Sequence, residues 1–160
     1  MVTGILALYG LGPFHKTTTP VTPTARPTPS SAARPADLTF EAESYTSHQG
    51  TRNTSHTKAR GGTAVGPTEA VGWAGYRHHP LDGVRAIRLR YSAGEGDAGV
   101  QVRAGSASGR LLGTVNLPRT ASANTFGQVT AKLASSGSGA LYIVFTGSRS
   151  IDIDTVTLMS

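Results

Sequence analysis

Apolar and polar residues alternate along much of the chain from Leu38 to its end. In residues 84–91, for example, Ile87, Leu89 and Tyr91 alternate with arginines, and residues 151–158 repeat the pattern. A period of two is typical of a strand with one buried face, and the glycines between such segments indicate turns. The period of a helix is not visible. The pattern therefore predicts an all-β fold of about eight or nine short strands, arranged as an antiparallel sandwich.

Residues 44–60 interrupt this alternation. They are polar and are followed by Gly61 and Gly62, so they are predicted to form a long loop, or a loop with a ragged strand. Long ordered loops in compact domains are usually functional. His78 and His79 directly precede Pro80 and are predicted to lie in a turn.

Two pairs of carboxylates lie near the ends of the strand region. Glu41 and Glu43 belong to the first predicted strand, and Asp152 and Asp154 belong to the last. Residues two apart on a strand share a face, so the four carboxylates would meet if these strands are neighbours. Oxygen ligands of this kind suit Ca²⁺. The pairs fit either a calcium site or two solvated faces, and their spacing leaves both open.

The residues before Leu38 have a different composition. Residues 1–14 contain an apolar run that is shorter than the roughly 20 residues needed to cross a bilayer and lacks the features of a complete signal peptide. This stub fits a remnant of a signal or membrane segment, and equally a leader without function. Residues 15–37 are rich in Thr and Pro and are predicted to be an extended linker. Residues 38–160 are predicted to form the β-sandwich.

Composition and motifs exclude several functions. The chain has no cysteine, which excludes disulfides and zinc–thiolate sites. The net charge is +6, and the basic residues Lys16, Arg26 and Arg34 lie before Leu38. The mild basic excess that remains is dispersed over many strands, a weak signal for nucleic acid, so no nucleic acid is expected as a partner. No Ser/His/Asp or phosphate-loop motif occurs. Paired carboxylates could serve a glycoside hydrolase, but all four belong to the predicted metal rim, so the chain is expected not to be an enzyme.

Five outward-facing polar residues are predicted to flank one sheet face. They could contact an acidic glycan, because arginine forks suit carboxylates and sulfates, or they could form a solvated surface. The residues are Arg88, Arg90, Gln101, Arg103 and Lys132.

Six motifs of the strand region resemble those of the family 6 carbohydrate-binding modules, in the same order and with similar spacing. They are FEAE at 40–43, GGTAVG at 61–66, GWAGY at 72–76, IRLRYSAG at 87–94, LPRT at 117–120 and DID at 152–154. The resemblance covers residues 38–160 and implies a jelly-roll sandwich that holds a polysaccharide without catalysis. It also implies a structural calcium, with Glu41, Glu43 and Asp154 at the ligand positions.

The positions that bind sugar in this family differ here. Family members hold the sugar in a loop cleft between two aromatic rings, and those positions carry Pro67 and Ala123. Asp152 replaces an asparagine of that cleft, and the acidic loop position falls near Thr54. The usual cleft is therefore expected to have lost its stacking rings, while Asp152 and Thr54 remain as polar ligand-binding candidates.

Trp73 lies at a position that lines a second cleft in some family members. We expect it to bind the ligand if it is exposed, although a lone tryptophan is also a common core residue. The sequence leaves these alternatives open.

The linker and the family resemblance predict an extracellular protein, secreted or at the cell surface. A second hypothesis is a surface-anchored sensor or adhesion domain with a degraded sugar cleft. Such a domain would have a membrane tether through a missing or truncated N-terminal segment.

Overall fold

The structure is a computed structural model that describes residue 12 and residues 36–160, apart from 97, 135–136 and 148–149. The predicted apolar stub and almost all of the predicted linker lie outside the described residues. Within the described part of the chain, no helix is long and apolar enough to cross a membrane.

The described residues contain eleven strands and two short 3₁₀ turns, at Ala42–Ser44 and Arg60–Gly62. The strands are β1 Leu38–Glu41, β2 Ser47–Gln49, β3 Thr51–Ser55, β4 Thr63–Pro67, β5 Trp73–Pro80, β6 Ala86–Ala93, β7 Ala98–Ala104, β8 Arg110–Asn116, β9 Gly127–Lys132, β10 Ala140–Gly147 and β11 Ile151–Met159.

These strands form two antiparallel sheets. One sheet has the order β3-β4-β11-β6-β9, with β1 also paired to β11, and the other has the order β2-β5-β10-β7-β8. The first and last strands are neighbours, which is the condition under which their carboxylates could meet, with Phe40 opposite Val156 and Glu41 opposite Thr155. The predicted all-β antiparallel sandwich is confirmed.

The core lies between the two sheets. Ile87, Leu89 and Tyr91 of β6 are buried, which confirms the inward face predicted from their alternation. A fully buried aliphatic side chain of this kind contributes about 1.5–3 kcal/mol. Tyr76 is also buried, and its hydroxyl donates a hydrogen bond to the Ala42 carbonyl at 2.8 Å. This bond attaches the turn after β1 to the core.

Two local predictions need correction. The stretch 44–60 contains two strands, β2 and β3, at the edges of the two sheets, so an unbroken long loop is wrong and a loop with one strand is incomplete. Edge strands are less buried, and their polar residues do not alternate as in a strand with one buried face. His79 lies in β5 rather than in a turn. Its ring stacks on Phe40 with centroids 3.8 Å apart. This contact joins residues far apart in the sequence, so the turn suggested by the adjacent Pro80 was misleading.

The prediction that five polar residues flank one sheet face is also wrong. Arg88, Arg90 and Lys132 lie on strands of the six-stranded sheet, whereas Gln101 and Arg103 lie on β7 of the five-stranded sheet. Consecutive strands β6 and β7 cross from one sheet to the other. Outward residues of the two strands therefore lie on opposite faces of the sandwich.

Candidate functional site

Three carboxylates come together where the first and last strands pair. Glu41 ends β1, Glu43 lies in the 3₁₀ turn that follows, and Asp154 lies in β11. A Cβ atom on Gly61 would lie 3.4 Å from Glu43 Oε1 and 3.7 Å from Glu41 Cδ. Gly61 has a φ of +70°, which favours glycine, so the turn before β4 can fold closely over the two glutamates. We call Glu41, Glu43 and Asp154 the carboxylate cluster.

The electrostatics of the carboxylate cluster favour a cation. Burial raises the pKa of the Glu43 carboxyl; a backbone hydrogen bond opposes this shift, and the charges of Glu41 and Asp154 add to it. The Oε2 atoms of both glutamates are buried and have no hydrogen-bond partner among the described residues. Leaving a buried carboxylate oxygen without a partner is costly. Two such oxygens therefore fit a bound metal ion.

Asp154 fits a metal less directly than the glutamates. Its Oδ1 accepts a hydrogen bond from the Arg60 backbone N–H at 2.7 Å, and its Oδ2 contacts Arg90 Nη1. Among the described residues, no three acidic or histidine side chains lie close enough together to bind one metal ion. Glu41 and Glu43 can offer a cation their unpartnered Oε2 atoms, although Glu41 Oε1 also lies 3.6 Å from Arg60 Nε. Asp154 would have to release Arg90 before it could bind the cation.

Asp152 and Asp154 do not occupy equivalent positions. The pairing of β11 with β6 shifts register between Ile153 and Thr155, which leaves Asp154 without an opposite residue on β6. A β-bulge of this kind re-aims a side chain. The expectation that both aspartates share a regular strand face therefore fails at the bulge.

Asp152 has a separate set of neighbours. Its Oδ2 lies 3.2 Å from His56 Nε2, and its Oδ1 is buried without a partner among the described residues. The His56 ring meets the edge of Phe126 with centroids 5.5 Å apart, and the Arg90 guanidinium lies 4.5 Å from the Phe126 ring centre. Phe126 is thus an aromatic side chain near Asp152 that the sequence analysis missed.

The other residues of the expected loop cleft provide no ring. Pro67 is buried in β4 opposite Thr51, and Ala123 is exposed between β8 and β9. Thr54 lies in β3, and its buried hydroxyl has no partner among the described residues. In the described part of the chain, no hydrogen bond joins Thr54 to Asp152.

Trp73 lies on the outer face of the five-stranded sheet, where it is half-buried beside Tyr142 of β10. The two ring centres are 5.5 Å apart and tilted by 51°. A Cβ on Gly75 would lie 2.6 Å from Tyr142 Cε1, so this glycine lets the tyrosine ring lie across β5. Around the rings is a groove of about 460 Å³, which we call the aromatic groove; it is lined by Val71, Trp73, Ser106, Ala107, Ser108, Tyr142 and Val144.

Polar groups stand next to the aromatic groove. Gln101 and Arg103 of β7 pair in register with Val144 and Tyr142. Arg103 donates two hydrogen bonds to Gln101 Oε1, at 3.0 and 2.8 Å. Apolar rings beside fixed polar groups are a common composition for a ligand site.

A model of the family 6 carbohydrate-binding modules matches residues 41–160. The chain belongs to this family. The resemblance seen in the six sequence motifs is thereby confirmed, and residues 41–160 form a carbohydrate-binding module.

Solved structures and curated relatives agree with this assignment. A β-1,3-glucan-binding family 6 module from Bacillus halodurans has a TM-score of 0.68 and 23% identity, over 77% of this chain and 96% of that one. A family 6 module from Clostridium stercorarium in complex with cellobiose has a TM-score of 0.63 and 28% identity, over 77% of this chain and 93% of that one. Endo-1,4-beta-xylanase A of Thermoclostridium stercorarium is 33% identical over 79% of this chain. The chain spans about a fifth of that xylanase.

The structure places the predicted site residues of the module at four separate positions. Glu41, Glu43 and Asp154 meet in the carboxylate cluster, whereas Trp73 and Asp152 lie on different sheets. Thr54 stands apart on an edge strand. Tyr142 was missed; it points to the outer face, between the inward-facing Leu141, Ile143 and Phe145, and is itself only 8% exposed. An aromatic residue at an outward position was the signal that could have identified it.

Proposed function

We propose that the module binds a neutral β-linked polysaccharide in the aromatic groove. The observation that carries this proposal is the pair formed by Trp73 and Tyr142 on an outer sheet face. Sugars present apolar CH faces that pack on aromatic rings, and their hydroxyls need polar partners. Gln101 and Arg103 would supply those partners. The glucan ligands and the xylanase activity named for the related proteins support a β-glucan or xylan as the ligand.

The loop cleft has a secondary role in this proposal. Pro67 and Ala123 offer no ring for stacking, but Asp152 and Thr54 each have a buried oxygen without a partner among the described residues. A sugar hydroxyl would form hydrogen bonds with these oxygens only after a local movement that uncovers them. Their contribution should therefore be smaller than that of Trp73.

We also propose that calcium binds at the carboxylate cluster and has a structural role. Glu41 and Glu43 would hold the ion, and Asp154 would join them on release from Arg90. Bound there, Ca²⁺ supplies positive charge to buried carboxylates. The unpartnered glutamate oxygens support this proposal.

The module itself is proposed to be non-catalytic and extracellular. Its polysaccharide ligand and its xylanase relatives support a secreted or cell-surface location. Where such a module is joined to a catalytic domain, binding would hold that domain near its polysaccharide. A surface-anchored sensor or adhesion protein, tethered to the membrane, remains the alternative setting for the same binding activity.

Titration calorimetry of the module with cellohexaose, xylohexaose and laminarin tests the main proposal. Trp73→Ala should weaken binding by about twofold to tenfold or more, the range that corresponds to an aromatic contact beyond burial. Gly75→Ala should weaken it about twofold or more, because the added Cβ displaces the Tyr142 ring. Phe126→Ala is the matched aromatic control, because it removes a ring from the loop just before β9 of the other sheet.

The fold of each variant is checked by circular dichroism. If Phe126→Ala abolishes binding while Trp73→Ala leaves it unchanged, the loop cleft holds the sugar and the proposal fails. It also fails if none of the three glycans binds to the wild-type module.

A further inference from the structure

The outer face of the six-stranded sheet carries a second cleft, of about 480 Å³, which we call the basic cleft. Pairing across four strands aligns Thr39, Thr157, Arg88 and Thr130 in one row. The neighbouring row contains Thr155, Arg90 and Gln128. These residues alternate with the buried residues of β6 and therefore point away from the core. The floor of the basic cleft is thus made of hydroxyl, amide and guanidinium groups.

Four cationic side chains line the basic cleft. Arg88 and Arg90 rise from β6, and Lys58 and Arg60 come from the segment between β3 and β4. Arg60 and Arg90 each pair with a member of the carboxylate cluster. Among the described residues, no ion pair joins Lys58 or Arg88 to a carboxylate. The basic cleft therefore has an excess of positive charge that the protein does not neutralise locally.

Arg88 is held with its terminal nitrogens available. It is half-buried, and its Nε donates a hydrogen bond to Thr130 Oγ1 at 3.3 Å. In the part of the chain that the structure describes, its two terminal nitrogens make no hydrogen bond. A planar guanidinium with free donors suits the two oxygens of a carboxylate or a sulfate. Lys58 provides a second cation for the same anion.

The lining distinguishes the basic cleft from the aromatic groove. None of its lining residues is aromatic, so it offers no platform for the CH face of a neutral sugar. Thr39, Thr157 and Gln128 present groups that exchange hydrogen bonds with hydroxyls. A polyhydroxylated ligand with a negative charge matches both properties.

We propose that the basic cleft binds the acidic groups of a polysaccharide, either uronate carboxylates or sulfate esters. It lies on the opposite sheet from Trp73, so the module would have two faces with different ligand chemistry. A neutral chain would occupy one face and an acidic chain the other. Such a module could bridge neutral and acidic polymers of the same material.

Calorimetric titration of the full chain with polygalacturonic acid, a sulfated galactan and neutral galactan tests this proposal. The wild type should bind at least one acidic polymer and should bind neutral galactan much more weakly. Preference between the acidic polymers identifies the anionic group. Affinity should fall between about 0.05 M and about 0.5 M salt, because salt screens exposed charges.

Charge-removing variants locate the site. Lys58→Gln with Arg88→Gln should weaken binding of the acidic polymer about tenfold or more, the value expected for a lost hydrogen bond to a charged group. Arg77→Gln with Arg85→Gln removes the same charge from two other exposed positions and should change affinity about twofold at most. Trp73→Ala should leave binding of the acidic polymer unchanged.

Three results would overturn the proposal: no binding of either acidic polymer, equal losses in the two double variants, or equal affinity for double-stranded DNA of matched charge. The last result would indicate a general polyanion surface. Failure of Trp73→Ala to affect neutral glycans would bear only on the aromatic groove, so the two proposals fail separately.

Discussion

Removal of calcium should lower the melting temperature of the module. In the structure, the buried Oε2 atoms of Glu41 and Glu43 have no partner among the described residues. A buried polar atom without a partner costs about 1–3 kcal/mol, so a cation that satisfies both should stabilise the fold by about 2–6 kcal/mol. Calcium at about 100 to 1,000 times its Kd would give about 2.7–4.1 kcal/mol, which lies within this interval.

This free energy can be converted to a temperature. A domain of this size gains roughly 3–5 °C of melting temperature for each kcal/mol. Stripping the metal should therefore lower the melting temperature by roughly 8–20 °C. The assay is a thermal scan by circular dichroism in EDTA, repeated after addition of excess Ca²⁺.

Amide variants show whether the carboxylate cluster is responsible. Glu41→Gln with Glu43→Gln keeps the side-chain shapes and removes the charges, so the response to calcium should disappear. Without metal this variant should be at least as stable as the wild type, because the repulsion around Glu43 is relieved. Glu69→Gln with Glu95→Gln is the matched control, since both side chains are exposed.

The reasoning would be refuted by a metal-stripped wild type that melts at the same temperature with and without calcium. A full calcium response in the Glu41→Gln, Glu43→Gln variant would refute the assignment of the ligands. Loss of the response in the control variant would show that net charge, rather than the carboxylate cluster, controls calcium binding.

Two further predictions concern the core beside β1. Tyr76→Phe removes the hydrogen bond to the Ala42 carbonyl and should lower the free energy of unfolding, measured by urea denaturation, by about 1–3 kcal/mol. Calcium affinity should fall as well, because Ala42 begins the turn that carries Glu43. An unchanged urea midpoint would contradict the role of this bond. Burial, and then the neighbouring His78, lowers the pKa of His79 below its ordinary value of 6.5. The folded state therefore binds fewer protons than the unfolded state and loses stability as pH falls from about 6.5 through the lowered pKa. The melting temperature of His79→Phe should fall less between pH 7.5 and pH 5 than that of the wild type, and an equal fall would contradict the shift.

The sequence by itself determined the strands that have one buried face. In β6, the alternation of Ile87 and Leu89 with arginines predicted the strand and its inward side, because burial of one face imposes a period of two. The same argument failed for β2 and β3, whose polar residues lie at sheet edges. It also failed at the bulge in β11, since an extra residue there leaves Asp154 without an opposite residue on β6.

Only the tertiary structure decided which outward residues share a surface. Alternation tells whether a side chain points in or out, but it does not tell which of the two sheets the strand joins. Arg88 and Arg103 look equivalent in the sequence, yet they lie on opposite faces because β6 and β7 belong to different sheets. Trp73 meets Tyr142 only because β5 pairs with β10, a contact between strands far apart in the chain. The aromatic groove and the basic cleft are both products of pairings between distant strands, which the local pattern of residues does not specify.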